Sequence, residues 1–274
     1  MSDIRALLPK RPSNGNKGTF GRVLLIVGSD SMRGAAALSA LGALRCGAGL
    51  VTVASTTACI DALSASLYEP IWLDRERKDV LAAAERVQAV GIGCGLGQTA
   101  TTAELVKALL AKQTDVPLVI DADGINVLAD NAALLRAASR PVILTPHPLE
   151  FSRLTGKAVN EIQSDREGTA KTFAAEYGVT LLLKGKNTVI TDGSAVHVNE
   201  TGNTALAKGG SGDVLTGMLC AFLAQGCTPF DAAVLAAHLH GLAGERLSEI
   251  YSEYGVLASE LPAMAAKLLR EWTK

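Results

Sequence analysis

Apolar positions follow two rhythms along this chain. Short, nearly unbroken aliphatic runs occur at 22–27 (RVLLIV), 50–54 (LVTVA), 89–93 (AVGIG), 117–121 (PLVID), 142–145 (VILT) and 180–184 (TLLLK). A strand covered on both faces carries such a run, so these segments predict buried parallel strands. Between them lie Ala- and Leu-rich stretches with apolar residues three and four apart. These predict helices over 34–46, 100–111, 126–138 and 164–177.

Strands alternating with crossover helices give a mostly parallel sheet with helices on both faces. The rhythm changes after residue 187. Two alternating stretches, 188–191 (TVIT) and 195–198 (AVHV), flank Asp192-Gly193 and predict a β-hairpin with a type I′-like turn. Three helices follow, over 211–225, 230–248 and 259–272. The expected fold is α/β: three layers, α/β/α, with an antiparallel hairpin at one edge of the sheet. No change in composition marks a boundary, so residues 1–274 read as a single domain.

Composition narrows the function. Hydrophobic residues make up 48% of the chain, aromatics 4%, and the formal net charge is −1. Nothing here favours nucleic acid. The start, MSDIRALLPKRP, lacks the apolar core of a signal peptide, and no run is long enough for a membrane helix. Cys46, Cys59, Cys94, Cys220 and Cys227 form no CxxC pair, as expected of thiols in a reducing compartment. A cytoplasmic protein that does not contact membranes is the expectation.

Ligands of open parallel sheets bind beyond the carboxyl ends of the strands. Polar or glycine-rich segments fall there at 28–30, 93–97, 121–124, 145–147 and 184–187. The sharpest signal is NTALAKGGSGDVLTGM, residues 203–218. Glycines allow close backbone approach, and the first N–H groups of a helix bind anions. Gly209, Gly210, Ser211 and Gly212 therefore predict a site for a phosphoryl group, with Asp213 in the first helical turn. A carboxylate there repels phosphate unless it takes a proton from an attacking hydroxyl. The competing reading is a plain helix cap by Ser211 or Asp213. No GxxxxGK[ST] loop is present, and 93–97 is only a partial dinucleotide fingerprint.

GGSGD before an apolar helix resembles the signature of ribokinase-like kinases. The wider set narrows it: GRVLLIVGS, MRGAAALSALGALRCGAGLVTVA, GIGCGLG, DADGINVL, LTPHPLEFSRL, LLLKGKNTVI and TGNTALAKGGSGDVLTGM. Together they resemble the ADP-dependent (S)-NAD(P)H-hydrate dehydratases. The resemblance implies a ribokinase-like fold and dehydration of NADHX or NADPHX, the C6 hydrates of NADH and NADPH. ADP would phosphorylate the C6 hydroxyl and phosphate would then leave, giving AMP. It implies Asp213 as base and as a substrate contact. Lys184, Gly185, Lys186, Asn187, Thr188, Gly210, Ser211 and Gly212 would hold the nucleotide. Ala35, Ala36, Gly95, Gly97, His147 and Asn203 would face the hydrate.

The family also implies Mg²⁺, held by phosphates and water since no carboxylate cage is evident, and a homotetramer. The epimerase half of bifunctional relatives is missing from this sequence, so a separate epimerase is the expected functional partner. Asn16 stands where many relatives carry histidine. Some choices remain open. His147 is either a turn cap or a site residue; Glu150 holds a loop or reaches a metal-bound water. Asp121 and Asp123 form a second acidic site or cap a helix. His238 and His240 read as packing or interface residues. The alternative activities are a vitamin-precursor alcohol kinase of the same fold and a nucleotide-binding module without catalysis.

Overall fold

The switch in strand order at the centre of the sheet sets the position of everything else. The computed structural model describes residues 3–76 and 78–273. Among these, nine strands form one sheet: β1 (Arg22–Ile26), β2 (Leu50–Ser55), β3 (Ile71–Asp74), β4 (Ala89–Ile92), β5 (Leu118–Ile120), β6 (Val142–Leu144), β7 (Thr180–Leu183), β8 (Thr188–Thr191) and β9 (Val196–Asn199). Their order is β3-β2-β1-β4-β5-β6-β7-β8-β9. Strands β3 to β7 are parallel, and β8 and β9 add on antiparallel at the β7 edge. The chain runs outward from β1 to β3, then returns to the other side of β1 with β4. A crevice opens beyond the strand ends at such a switch.

Period-two alternation divides the core. Leu24, Ile26, Val90, Ile92, Leu118 and Ile120 face one layer of helices, including Ala100–Ala111, Pro148–Thr155 and Arg166–Tyr177. Val23, Leu25, Val51, Val53, Ala89 and Val119 face the other: Arg33–Arg45, Ser211–Ala224, Pro229–Gly255 and Leu261–Trp272. Both faces are therefore covered, which is why the strands read as unbroken apolar runs.

Two glycines set how closely the helices Arg33–Arg45 and Ser211–Ala224 approach. A Cβ on Gly217 would lie 2.0 Å from the Ser39 carbonyl oxygen, and one on Gly42 would lie 2.4 Å from that of Val214. The backbones touch directly at this crossing. It fixes the glycine turn at the start of the second helix against the first.

Three expectations need correction. The helix expected over 126–138 is broken into Asp123–Asn126, a 3₁₀ turn Ala129–Asn131 and Ala133–Arg136. Asn131 falls in its middle, and asparagine is a weak helix former. The hairpin turn is not type I′, because Gly193 (φ 90°) has a positive φ and Asp192 does not. Thr191 pairs with Val196 across a longer loop, and Asp192 Oδ1 accepts from the N–H groups of Ser194 and Ala195. Strand β3 was not anticipated. It is short and half-exposed at the sheet edge, with no alternation to reveal it.

Candidate functional site

Helix Ser211–Ala224 opens at the carboxyl end of the sheet. Gly210 precedes it in a left-handed conformation (φ 92°), which favours glycine, and no side chain caps the helix. The capping alternative for Ser211 and Asp213 is thus not what the structure adopts. The Ser211 N–H donates to the Lys208 carbonyl and that of Val214 to Gly210, which leaves the Gly212 and Asp213 N–H groups, with the positive end of the helix dipole, for an anion.

Asp213 lies in that first turn, partly buried. Burial raises its carboxyl above the ordinary aspartate range, and the neighbouring charge of Asp121 adds to the rise. Asp121, from the end of β5, is 2% exposed. Its Oδ1 accepts from Lys184 Nζ at 2.8 Å, and its Oδ2 accepts from Thr216 Oγ1 at 3.0 Å and from Cys94 Sγ at 3.6 Å. Burial opposes ionisation of Asp121, but the Lys184 ammonium and these hydrogen bonds outweigh it and hold the carboxyl below its usual value. Burial likewise opposes the Lys184 charge, and Asp121 and Glu150 outweigh that too. Asp121 and Lys184 form an ion pair whose carboxylate is buried and whose lysine is 21% exposed.

Lys184 also lies 3.8 Å from Glu150 Oε2. Glu150 is buried and its carboxyl is raised by that burial, with Lys184 opposing. It accepts the His147 backbone N–H at 2.8 Å, and His147 Nδ1 accepts from the N–H groups of Leu149 and Glu150. His147 is thus the N-cap of helix Pro148–Thr155 in a reciprocal capping box. Its Nε2 points at Glu150 Oε1, 3.3 Å away. Glu150 holds this loop and backs Lys184.

The glycine segment after β4 supplies the adjoining wall. Gly93, Gly95 and Gly97 all have positive φ. A Cβ on Gly93 would meet the Asp121 carbonyl at 1.9 Å, and one on Gly95 would meet the Ala35 and Met32 Cβ atoms at 2.8 Å. Gly28 contacts Ala36 in the same way. Asp123 sits in the first turn of its helix and accepts the Gly97 N–H at 2.7 Å. Between the two acidic residues, Ala122 is held at φ 49°, ψ −117°, a costly conformation for alanine. Of the expected substrate-side residues, Ala35, Ala36, Gly95 and Gly97 lie together, joined to the carboxylates through Cys94.

Lys184, Gly185, Lys186 and Asn187 form the β7–β8 connection, and Thr188 opens β8. Gly185 (φ 141°) and Asn187 (φ 54°) bend it, and Thr188 Oγ1 donates to the Gly185 carbonyl at 2.9 Å. Lys186 and Asn187 are exposed. A Cβ placed on Gly212 would lie 3.4 Å from Lys184 Nζ, so the loop and the glycine turn adjoin.

Asn203 lies to one side. Its Oδ1 accepts the Ala205 N–H and its Nδ2 donates to Ser248 Oγ at 2.8 Å, so its amide supports the loop leading to the turn. Asn16 caps its own turn by accepting the Gly18 N–H at 2.8 Å.

Three residues at the site carry no motif that reveals them. Arg166 donates from Nη2 to the carbonyls of Leu183 and Lys184 and packs against Gly185. Thr216 reads as one more position on an apolar helix. His240, expected to be a packing or interface residue, is buried and also meets Ser211: its Nε2 is 3.0 Å from the Ser211 carbonyl oxygen and 3.2 Å from Oγ. His238 does pack, with its ring 6.0 Å from that of Trp272.

Cys94, Asp121 and Asp213 bring ligand-type atoms within 4.8 Å of one another. They do not suit Mg²⁺. Both Asp121 oxygens already accept from protein donors, and burial keeps the Cys94 thiol protonated. Mg²⁺ prefers oxygen ligands and retains waters.

With this geometry in place, comparison with known proteins is informative. Residues 23–267 match the family model of the NAD(P)H-hydrate dehydratases. The ADP-dependent (S)-NAD(P)H-hydrate dehydratase of Bacillus subtilis is 41% identical over 94% of this chain and 92% of its own length. A bifunctional NAD(P)H-hydrate repair enzyme of Moorella thermoacetica is 39% identical over 97% of this chain, which spans about half (52%) of that protein. The crystal structure of the B. subtilis ADP/ATP-dependent dehydratase, co-crystallised with ATP and Mg²⁺, superposes with a TM-score of 0.87 at 36% identity, covering 98% of this chain and 96% of the other. The α/β/α arrangement is the ribokinase-like one.

Proposed function

The chain belongs to the NAD(P)H-hydrate dehydratase family, and on that premise we propose that Asp213 and the turn before it move a phosphoryl group from ADP to the C6 hydroxyl of NADH-hydrate or NADPH-hydrate. The overall reaction is the ADP-dependent dehydration of the S hydrate, a hydro-lyase activity. Hydroxide leaves poorly and phosphate leaves well. Asp213 takes the hydroxyl proton as the C6 oxygen attacks the β-phosphorus of ADP and AMP departs. The ring nitrogen lone pair then expels phosphate, and loss of a neighbouring ring proton restores the dihydropyridine.

The observation that carries this reading is the uncapped glycine turn with a raised carboxyl in its first helical turn. N–H groups preorganised around a transferring phosphoryl stabilise its charge without reorganisation. A carboxyl raised toward working pH is a better base than an ordinary aspartate. Lys184, Gly185, Lys186, Asn187 and Thr188 adjoin the turn and would carry the nucleotide. Ala35 packs against Gly95, next to Cys94, and with Gly97 they would border the hydrate. Mg²⁺ would arrive on the nucleotide phosphates, since the side chains here form no cage for it.

A spectral assay tests the proposal. The protein is mixed with NADH-hydrate, Mg²⁺ and either ADP or ATP, and absorbance is followed at the NADH band. Recovery with ADP, matched by one AMP per NADH, is expected. No recovery with either nucleotide, from protein that still binds ADP, overturns it.

A further inference from the structure

We infer that His240 is a positioning residue for the phosphoryl-binding turn: its Nε2–H anchors the Ser211 carbonyl and thereby aims the Gly212 N–H. The inference rests on the reading of residues 210–213 as the phosphoryl site.

The Ser211 carbonyl and the Gly212 N–H belong to one planar trans peptide unit and point in opposite directions. Holding the oxygen on the buried side therefore fixes where the N–H points. The helix orients this first unit, but glycines on both sides of Ser211 leave that orientation loosely restrained. The N-cap, Gly210, has no side chain to add a capping bond. A further hold comes from below. His240 Nε2 lies 3.0 Å from the Ser211 oxygen and 3.2 Å from its Oγ, with both residues buried.

The proton's position follows from the partner. A carbonyl only accepts, so Nε2 carries the hydrogen. Burial pushes the imidazole down to about 4, so at neutral pH the ring is uncharged and donates from this one nitrogen. Donation to the carbonyl also polarises the peptide and strengthens its N–H as a donor on the opposite side.

The element carrying His240 is itself fixed to the approach of the turn. Thr201 Oγ1 donates to the His238 carbonyl at 3.0 Å, and Gly202 N–H donates to Glu245 at 2.7 Å. Lys208 Nζ donates to the Val256 carbonyl at 2.6 Å. A Cβ on Gly241 would collide with Thr201 Oγ1 at 2.1 Å, so the loop lies directly on the helix beside His240. The helix thus acts as a platform, and His240 is its contact with the turn.

Three substitutions separate aiming from packing. His240→Gln can return an amide N–H to the Nε2 position, His240→Asn carries the same group too short to reach, and His240→Leu keeps bulk alone. Steady-state kcat and KM for ADP, ADP affinity by calorimetry and Tm are measured for each. His240→Asn and His240→Leu are expected to lose at least about tenfold in kcat, below the ~10²–10³ of losing a donor outright. ADP affinity should stay within about threefold, and His240→Gln should recover most of kcat. Equal kcat in the Gln and Asn variants, or a loss confined to Tm or ADP affinity, overturns the inference. Should the Leu variant fail to fold, the Gln/Asn pair still decides. Gly212→Val serves as the companion: if it retains full activity, the phosphoryl-site reading itself falls. If it is inactive while the His240 variants turn over normally, only the role of His240 falls.

Discussion

Lys184 Nζ lies 2.8 Å from Asp121 Oδ1, and the pair sits beneath the glycine turn with Asp121 almost wholly out of solvent. Removing one member leaves the other charged and uncompensated, which costs more than the pair itself contributes. Lys184→Met should therefore lower unfolding stability by about 3–5 kcal/mol, while Lys184→Met with Asp121→Leu recovers much of it. Urea denaturation of the two variants checks this. Equal losses in single and double variants would mean that the charge of Asp121 is not what the lysine compensates.

The same carboxylate shapes the acid limb of activity. Asp213 is raised first by burial and next by the charge of Asp121. A base is lost on protonation, so kcat/KM should fall with decreasing pH above the ordinary aspartate pKa of ~3.9. Asp121→Asn removes a negative neighbour and leaves Lys184 with Glu150 as its remaining carboxylate; both changes favour ionised Asp213. The acid limb should therefore move to lower pH. A limb that stays put or moves upward would show that the titrating group is not Asp213.

Two glycines of the same helix should respond in opposite ways. At Gly212 a methyl meets only ordinary contacts, at 3.4 Å from Lys184 Nζ and 3.6 Å from Asp121 Oδ2. Gly212→Ala should stay within about 1 kcal/mol of wild-type stability yet lose activity, because the methyl stands where the phosphoryl group is expected. At Gly217 a methyl meets the Ser39 carbonyl at 2.0 Å. Gly217→Ala should cost about 1–3 kcal/mol by forcing the two helices apart. Thermal melts set beside turnover distinguish the cases. A fully active Gly212→Ala would remove the claim that this face is occupied during the reaction.

What the sequence disclosed follows from how local each feature is. The parallel strands were legible because burial on both faces writes an unbroken apolar run. GGSGD was legible because turn, helix start and carboxylate are consecutive. Lys184 and Asp121 lie 63 residues apart, Thr216 and Asp121 lie 95 apart, and His240 and Ser211 lie 29 apart. Such pairings come from strand order and helix crossing, and no spacing encodes them. His240 is the clearest case: on an apolar helix it looks like any buried histidine until the neighbouring helix is placed. His147 went the other way, since its capping-box partner Glu150 is three residues on and the motif is local.

In the proposed reaction Asp213 takes the proton from the hydroxyl that attacks the phosphoryl group. Turnover of NADH-hydrate by Asp213→Asn, with ADP affinity determined on the same preparation, tests it most directly. A fall in kcat of about 10²–10⁴-fold is expected, with ADP binding within about threefold of wild type. Turnover within tenfold of wild type, or lost activity that tracks lost ADP binding, would contradict it.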